Sequence, residues 1–298
     1  MLGKLLKHEW RSTWKLPTAL SAFTILMTLL GALSFKMPMW QKLVGNNPSS
    51  VTFVDLVAVA ILITYFITIV VSAYAIMIYF SVRFYKNLYT DEGYLMHTLP
   101  TTPRNLIFSK TVISSFWNVI STTLMMASMF WLFDVFMKTL LTEAEWKEVS
   151  AAFAGISPSI NEIFIEYSGV SVVFAIFAYI LTLLVGSIYG MLLIYLCICI
   201  GQLFRKHKVA AAIIAYLVVT TIIQTITSVA VLPATFNMMF KMEAMSESLL
   251  IASPMEALVA PFATMMPVIY ISLALSAILS IAAFFACEYI TKRKLNLD

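Results

Sequence analysis

Six stretches of this chain contain no Asp, Glu, Lys or Arg: residues 16–35, 56–82, 111–133, 167–204, 209–240 and 257–287. Each reaches the roughly 20 residues that an α-helix needs to cross about 30 Å of hydrocarbon, where backbone polar groups must be satisfied within their own helix. The rest of the chain cannot supply a polar shell for so much apolar surface, because 61% of its residues are hydrophobic and 11% are charged. The expected fold is an all-α integral membrane protein, a single transmembrane domain over residues 1–298 with spans at 16–35, 56–82, 111–136, 168–203, 209–232 and 267–289. The opening "MLGKLLKHEWRSTWK" leads into a long apolar stretch with no small-residue cleavage site, so the first span is read as retained rather than as a signal peptide.

Lysine and arginine set the expected orientation, since basic flanks resist translocation. With six spans, Lys4, Lys7, Arg11, Lys15, Arg83, Lys86, Arg104, Lys110, Arg205, Lys206, Lys208, Lys292, Arg293 and Lys294 share one side, and only Lys36, Lys42, Lys138, Lys147 and Lys241 fall on the other. Both termini are therefore expected in the cytoplasm. Cys197, Cys199 and Cys287 lie in or near the membrane, and an odd count of this kind argues against a disulfide framework.

Between the spans, four segments have character of their own. In residues 1–15, Leu2, Leu6, Trp10 and Trp14 recur every four positions beside a basic stripe, the pattern of a helix lying in the headgroup layer on anionic lipid. Thr142-x-x-Glu145 predicts a capping box that opens a short helix. The fourth uncharged stretch is longer than tilt usually absorbs, so it is expected to extend past the bilayer. Its Gly186 and Gly190 have the spacing that lets another helix approach closely. Residues 233–266 are rich in methionine, largely apolar and interrupted by prolines, and predict a re-entrant hairpin at the outer face.

The spans hold hardly any ionisable groups. Asp55, Asp134 and Glu288 sit near span ends, and His8, His97 and His207 fall in the cytoplasmic segments. Ion-coupled transporters usually carry such groups at membrane depth, and an intramembrane metalloprotease needs histidine and acidic ligands on facing helices. An enzyme would also need a nucleophile with a base. The spans offer hydroxyl and amide stripes instead, Thr64/Thr68/Ser72, Ser114/Asn118/Ser121 and Thr220/Gln224/Thr227, which commonly join helices at roughly 1 kcal/mol or less per bond. In the fifth span Thr220, Gln224 and Thr227, continued by Met238 and Met242, are also the candidate substrate path, because thioethers adapt to irregular apolar shapes. No G-x-x-x-x-G-K-[ST] loop occurs, so any ATP that drives this chain is expected on another chain.

The most particular segment is the linker "YKNLYTDEGYLMHTLPTTPRNLIFSK". Thr102-Pro103 reads as an N-cap with proline at the first helical position, and Gly93 reads as a break after the second span. This linker resembles that of the ABC type-2 permeases, the membrane subunits of bacterial ATP-binding-cassette exporters. The resemblance is carried by Tyr85, Lys86, Leu88, Asp91-Glu92-Gly93-Tyr94-Leu95, Thr98-Leu99-Pro100, Thr102-Pro103, Leu106 and Ser109-Lys110, with the basic opening "LLKHEWR" similar as well.

What the resemblance implies is a subunit of an exporter in the bacterial cell membrane. Two permeases, identical or related, would pair with two copies of a cytoplasmic ATPase that bind ATP and Mg, this chain having no cofactor of its own. Residues 85–102 would be the coupling segment, with Asp91, Glu92, Tyr94, Leu95 and His97 against the ATPase. The outer hairpin would belong to the exit gate. Apolar walls and methionines suit an amphipathic or hydrophobic peptide, drug or lipid. Membrane lipids are further expected partners and nucleic acid is not. The alternatives are a secondary transporter or a non-transporting membrane sensor or immunity protein.

Overall fold

The six charge-free stretches are helical along most of their length. The computed structural model describes residues 2–37, 40, 52–90, 102–154, 157–204, 206–249 and 254–293. Among these the helices are α1 (Leu2–Thr13), α2 (Lys15–Phe35), α3 (Phe53–Tyr89), α4 (Pro103–Leu140), α5 (Glu143–Ala154), α6 (Ser157–Ser168), α7 (Val172–Gly201), α8 (Lys208–Leu249), α9 (Pro254–Thr264) and α10 (Met266–Arg293), with no strand. Six helical segments are long and apolar enough to cross a membrane: Lys15–Phe35, Phe53–Tyr89, Pro103–Leu140, Val172–Gly201, Lys208–Glu243 and Val259–Lys292. Their outward faces carry exposed Leu, Ile, Val and Phe along most of their length, as lipid-facing helices of a multi-pass membrane protein do.

Helix ends follow local chemistry. α4 opens at Pro103, whose missing N–H costs nothing in a first turn. At the start of α5, Glu145 Oε2 accepts from the Thr142 backbone N–H and hydroxyl, both at 2.8 Å, and the Glu145 N–H donates back to Thr142 Oγ1 at 3.4 Å. This is the expected capping box, and its two bonds hold the Glu145 carboxyl below the usual glutamate range. α3 opens in the same manner, with Asp55 Oδ2 accepting from the Thr52 N–H at 2.8 Å and its hydroxyl at 2.6 Å. α1 and α2 nearly join. They part at Trp14 because Pro17 has no N–H for the Thr13 carbonyl one turn earlier.

The helix ends lie outside several of the expected span bounds, and two differences change the reading. The fourth apolar stretch is not one helix from 168 to 203. Gly169, in the left-handed region at φ 74°, ends α6, and Ser171 then caps α7 by accepting from the Phe174 N–H. The fifth helix does not stop at residue 232 but runs through Pro233 to Leu249. Proline forfeits one backbone bond, a loss that helices in an apolar environment absorb locally.

Backbone contacts divide the chain into two compact units. The first comprises Met1–Phe80 and Phe116–Ala152. Its core joins Met27, Ala32 and Phe35 of α2, Tyr65 of α3 and Leu132 of α4. Polar side chains cross between helices here: the Tyr65 hydroxyl lies 3.0 Å from Ser128 Oγ, and Thr24 donates to Ser72 at 3.4 Å. The Trp10 indole of α1 stacks on Trp117 of α4 at 5.3 Å between ring centres, while Lys4, Lys7, Arg11 and Lys15 are exposed.

The second unit comprises Ser81–Ser115 and Phe153–Asp298. α7 is its centre, packed along α10 and α8, while α9 lies on α6. One core cluster joins Ile163 and Phe164 of α6, Ala175 and Ala178 of α7, and Val259, Ala263 and Met266. Among the described glycines the tightest contact is at Gly201, where an added Cβ would come within 2.6 Å of Ala212 Cβ and 2.8 Å of Ala212 Cα. The short connection from α7 to α8 demands this approach.

Candidate functional site

Both ends of the linker are anchored in the second unit. α3 continues to Tyr89, so the first residues of the expected coupling segment belong to the end of a span. Phe84 and Leu88 of its last turns are buried. The Phe84 ring lies flat on Tyr195 of α7, with centres 3.9 Å apart and planes 9° apart. One turn on, the Tyr89 hydroxyl donates to Cys199 Sγ of α7 at 3.0 Å and lies 3.3 Å from Thr291 Oγ1 of α10. Cys199, Cys287 and Thr291 are themselves buried, so this polar knot sits among three helices.

The returning end is anchored as well. Leu106 and Ile107 are buried, and the Arg104 guanidinium stands 6.0 Å and 5.9 Å from the rings of Phe284 and Phe285 on α10. That distance is at the outer edge of a cation–π contact. Ser187 of α7 donates to the Ser115 carbonyl of α4 at 3.0 Å, a further tie between these helices. A displacement of the linker would thus reach α7 through Tyr89 and Phe84, and α10 through Tyr89 and Arg104. Asp91, Glu92, Tyr94, Leu95 and His97 lie outside the described residues.

The fifth-span residues share one helix, α8. The Thr220 hydroxyl donates to the carbonyls of Tyr216 and Leu217, and that of Thr227 donates to Ile223 at 2.8 Å. Gln224 is exposed, Met238 and Met242 are half-buried, and no residue of 208–243 is buried. The threonines therefore satisfy their hydroxyls within their own helix. Gly186 and Gly190 are open, with nothing within 4 Å of an added Cβ at either. Among the described glycines, the closest backbone approach to another helix is at Gly201 instead.

Sequence reasoning missed Gly201, the Phe84–Tyr195 stack and the Tyr89–Cys199–Thr291 knot. A glycine beside a short interhelical connection was a usable signal for the first. The others join residues more than 100 positions apart, and no local pattern marks them. Among the described residues no group of three or more His, Cys, Asp or Glu side chains could hold a metal ion. No family model matches the chain, and neither does any of the curated proteins or solved structures compared with it.

Proposed function

We propose that this chain is the permease subunit of an ATP-binding-cassette exporter in a bacterial cell membrane, with both termini in the cytoplasm. It would move an amphipathic or hydrophobic substrate using ATP hydrolysed by a separate subunit. The observation that carries the reading is the linker. Its sequence resembles the coupling segment of type-2 permeases, and its flanks are tied to α7 and α10 through Phe84, Tyr89 and Arg104.

In this reading Asp91 and Glu92 meet the ATPase, with Tyr94, Leu95 and His97 beside them, and movement of the ATPase pulls the linker and levers α7 and α10. A second permease copy, or a related chain, faces the weakly buried α8, where Thr220, Gln224, Thr227, Met238 and Met242 line the path. The open row at Gly186 and Gly190 is available for the same packing. The segment leading through α9 to Pro267 is the re-entrant element of the outer gate, its apolar residues packed on protein rather than exposed to water.

The test is ATP turnover in lipid by the purified chain, compared with the chain co-purified from its native host. The expected result is no turnover by the chain alone and turnover in the presence of a captured nucleotide-binding subunit. Robust turnover by the single chain, or native purification without any ATPase, overturns the proposal.

A further inference from the structure

The first unit contains a cavity of about 690 Å³ between the end of α2, the first half of α3 and the second half of α4. That volume lies in the range of pockets that hold a discrete small molecule, roughly 300–1,000 Å³. Its walls are apolar throughout, with Phe35, Trp40, Tyr65, Phe66, Met129 and Phe130 among them. Among the described lining residues the polar side-chain atoms are already engaged: Trp40 Nε1 donates to the Ser34 carbonyl at 3.0 Å, and the Tyr65 hydroxyl is bonded to Ser128 at 3.0 Å. An occupant is therefore offered dispersion contacts and no hydrogen bond, which selects hydrocarbon.

Position narrows the choice. Along α4 the cavity extends from Met126 to Phe136, about 15 Å of helix axis at 1.5 Å per residue. Half of a hydrocarbon core about 30 Å thick is the same length. Phe66 and Phe130 are also exposed on their outer sides, so the groove opens toward the bilayer. At its end, Lys36 follows Phe35 directly and is exposed, whereas Lys138 is engaged by Asp134 at 2.6 Å. An apolar slot one leaflet deep with a cation at its mouth complements one kind of molecule.

We infer that this groove binds one acyl chain of a phospholipid from the leaflet on that side, with the lipid phosphate at Lys36. The site does not depend on the permease reading, because it needs only the spans and the bilayer around them.

The experiment uses the full chain in liposomes containing a trace of phosphatidylglycerol with a photoreactive diazirine at mid-chain. After photolysis and digestion, labelled peptides are quantified by mass spectrometry. Peptides carrying Phe66 and Phe130 should be labelled several-fold more than the α10 peptide carrying Ile278 and Ile281, which are comparably exposed. Leu62→Trp, which fills the groove, should abolish the excess while leaving α10 labelling unchanged. Lys36→Glu, at an exposed position, should reduce it several-fold, as should replacing the probe with a diacylglycerol bearing the same diazirine chain. Equal labelling of the groove and α10 would mean ordinary surrounding lipid and would overturn the site. Indifference to Lys36→Glu, or equal labelling by the diacylglycerol, would overturn its assignment to phospholipid.

Discussion

Replacing Gly201 with alanine should destabilise the protein although it adds only one methyl group. In a helix, alanine is ordinarily favoured over glycine by roughly 1 kcal/mol, so local propensity predicts a gain. The structure predicts the reverse. The new Cβ would sit 2.6 Å from Ala212 Cβ and 2.8 Å from the Ala212 Cα and N, so the obstruction is backbone and no rotamer relieves it. α7 and α8 must separate, and overpacking of this kind costs about 1–3 kcal/mol. Gly186→Ala and Gly190→Ala are internal controls, because nothing lies within 4 Å of either added Cβ in this chain. They should be neutral or slightly stabilising. The measurement is reversible unfolding in mixed micelles against dodecyl sulfate, followed by tryptophan fluorescence, with the three variants side by side. A Gly201→Ala protein as stable as the parent would refute the close approach of α7 and α8. Loss of self-association in the Gly186 or Gly190 variants, with monomer stability intact, would instead reveal packing against a second copy.

Three further outcomes are expected. Asp91→Lys combined with Glu92→Lys should abolish capture of the partner ATPase while the chain stays monodisperse in detergent, since like charges across a desolvated contact cost several kcal/mol; unchanged capture and transport would return the linker to a solvated loop. The capping box should be pH-sensitive in one direction. Because the Glu145 carboxyl is held below its ordinary range by the Thr142 backbone N–H first and its hydroxyl second, the stabilisation is present above the ordinary glutamate pKa and is lost as pH falls through the lowered value, so amide exchange over residues 143–146 should accelerate on acidification into that window; Thr142→Ala, which keeps the N–H, should weaken the dependence and Glu145→Gln should remove it. Finally, with Cys197, Cys199 and Cys287 replaced, a single cysteine at Glu247 should react with an impermeant thiol reagent from outside, and one at Met265 should change its reactivity when nucleotide is trapped; labelling of Glu247 from the cytoplasm would invert the topology.

Much of the fold was legible because lipid leaves the backbone few choices. A stretch of twenty apolar residues must close its own hydrogen bonds, so the charge-free runs became helices long enough to cross a membrane. Thr142-x-x-Glu145 and Thr102-Pro103 marked helix starts because capping is decided within one turn. The same locality governs the break at Trp14, where Pro17 cannot serve the Thr13 carbonyl; the turn at Gly169 to Ser171 is as local, but it lies inside a charge-free run that was read as one span. The continuation of α8 past Pro233 was not legible, since whether a proline ends a helix depends on what surrounds it. Which spans touch was hidden for a related reason: a helix apolar on every face carries no periodic stripe to name its inner side. Only the packed chain decided that Gly201 would meet Ala212, that Tyr65 would reach Ser128, and that Tyr89 would find Cys199 and Thr291 on two other helices. Each of those contacts depends on short-range packing between segments distant in sequence, and no single segment contains that information.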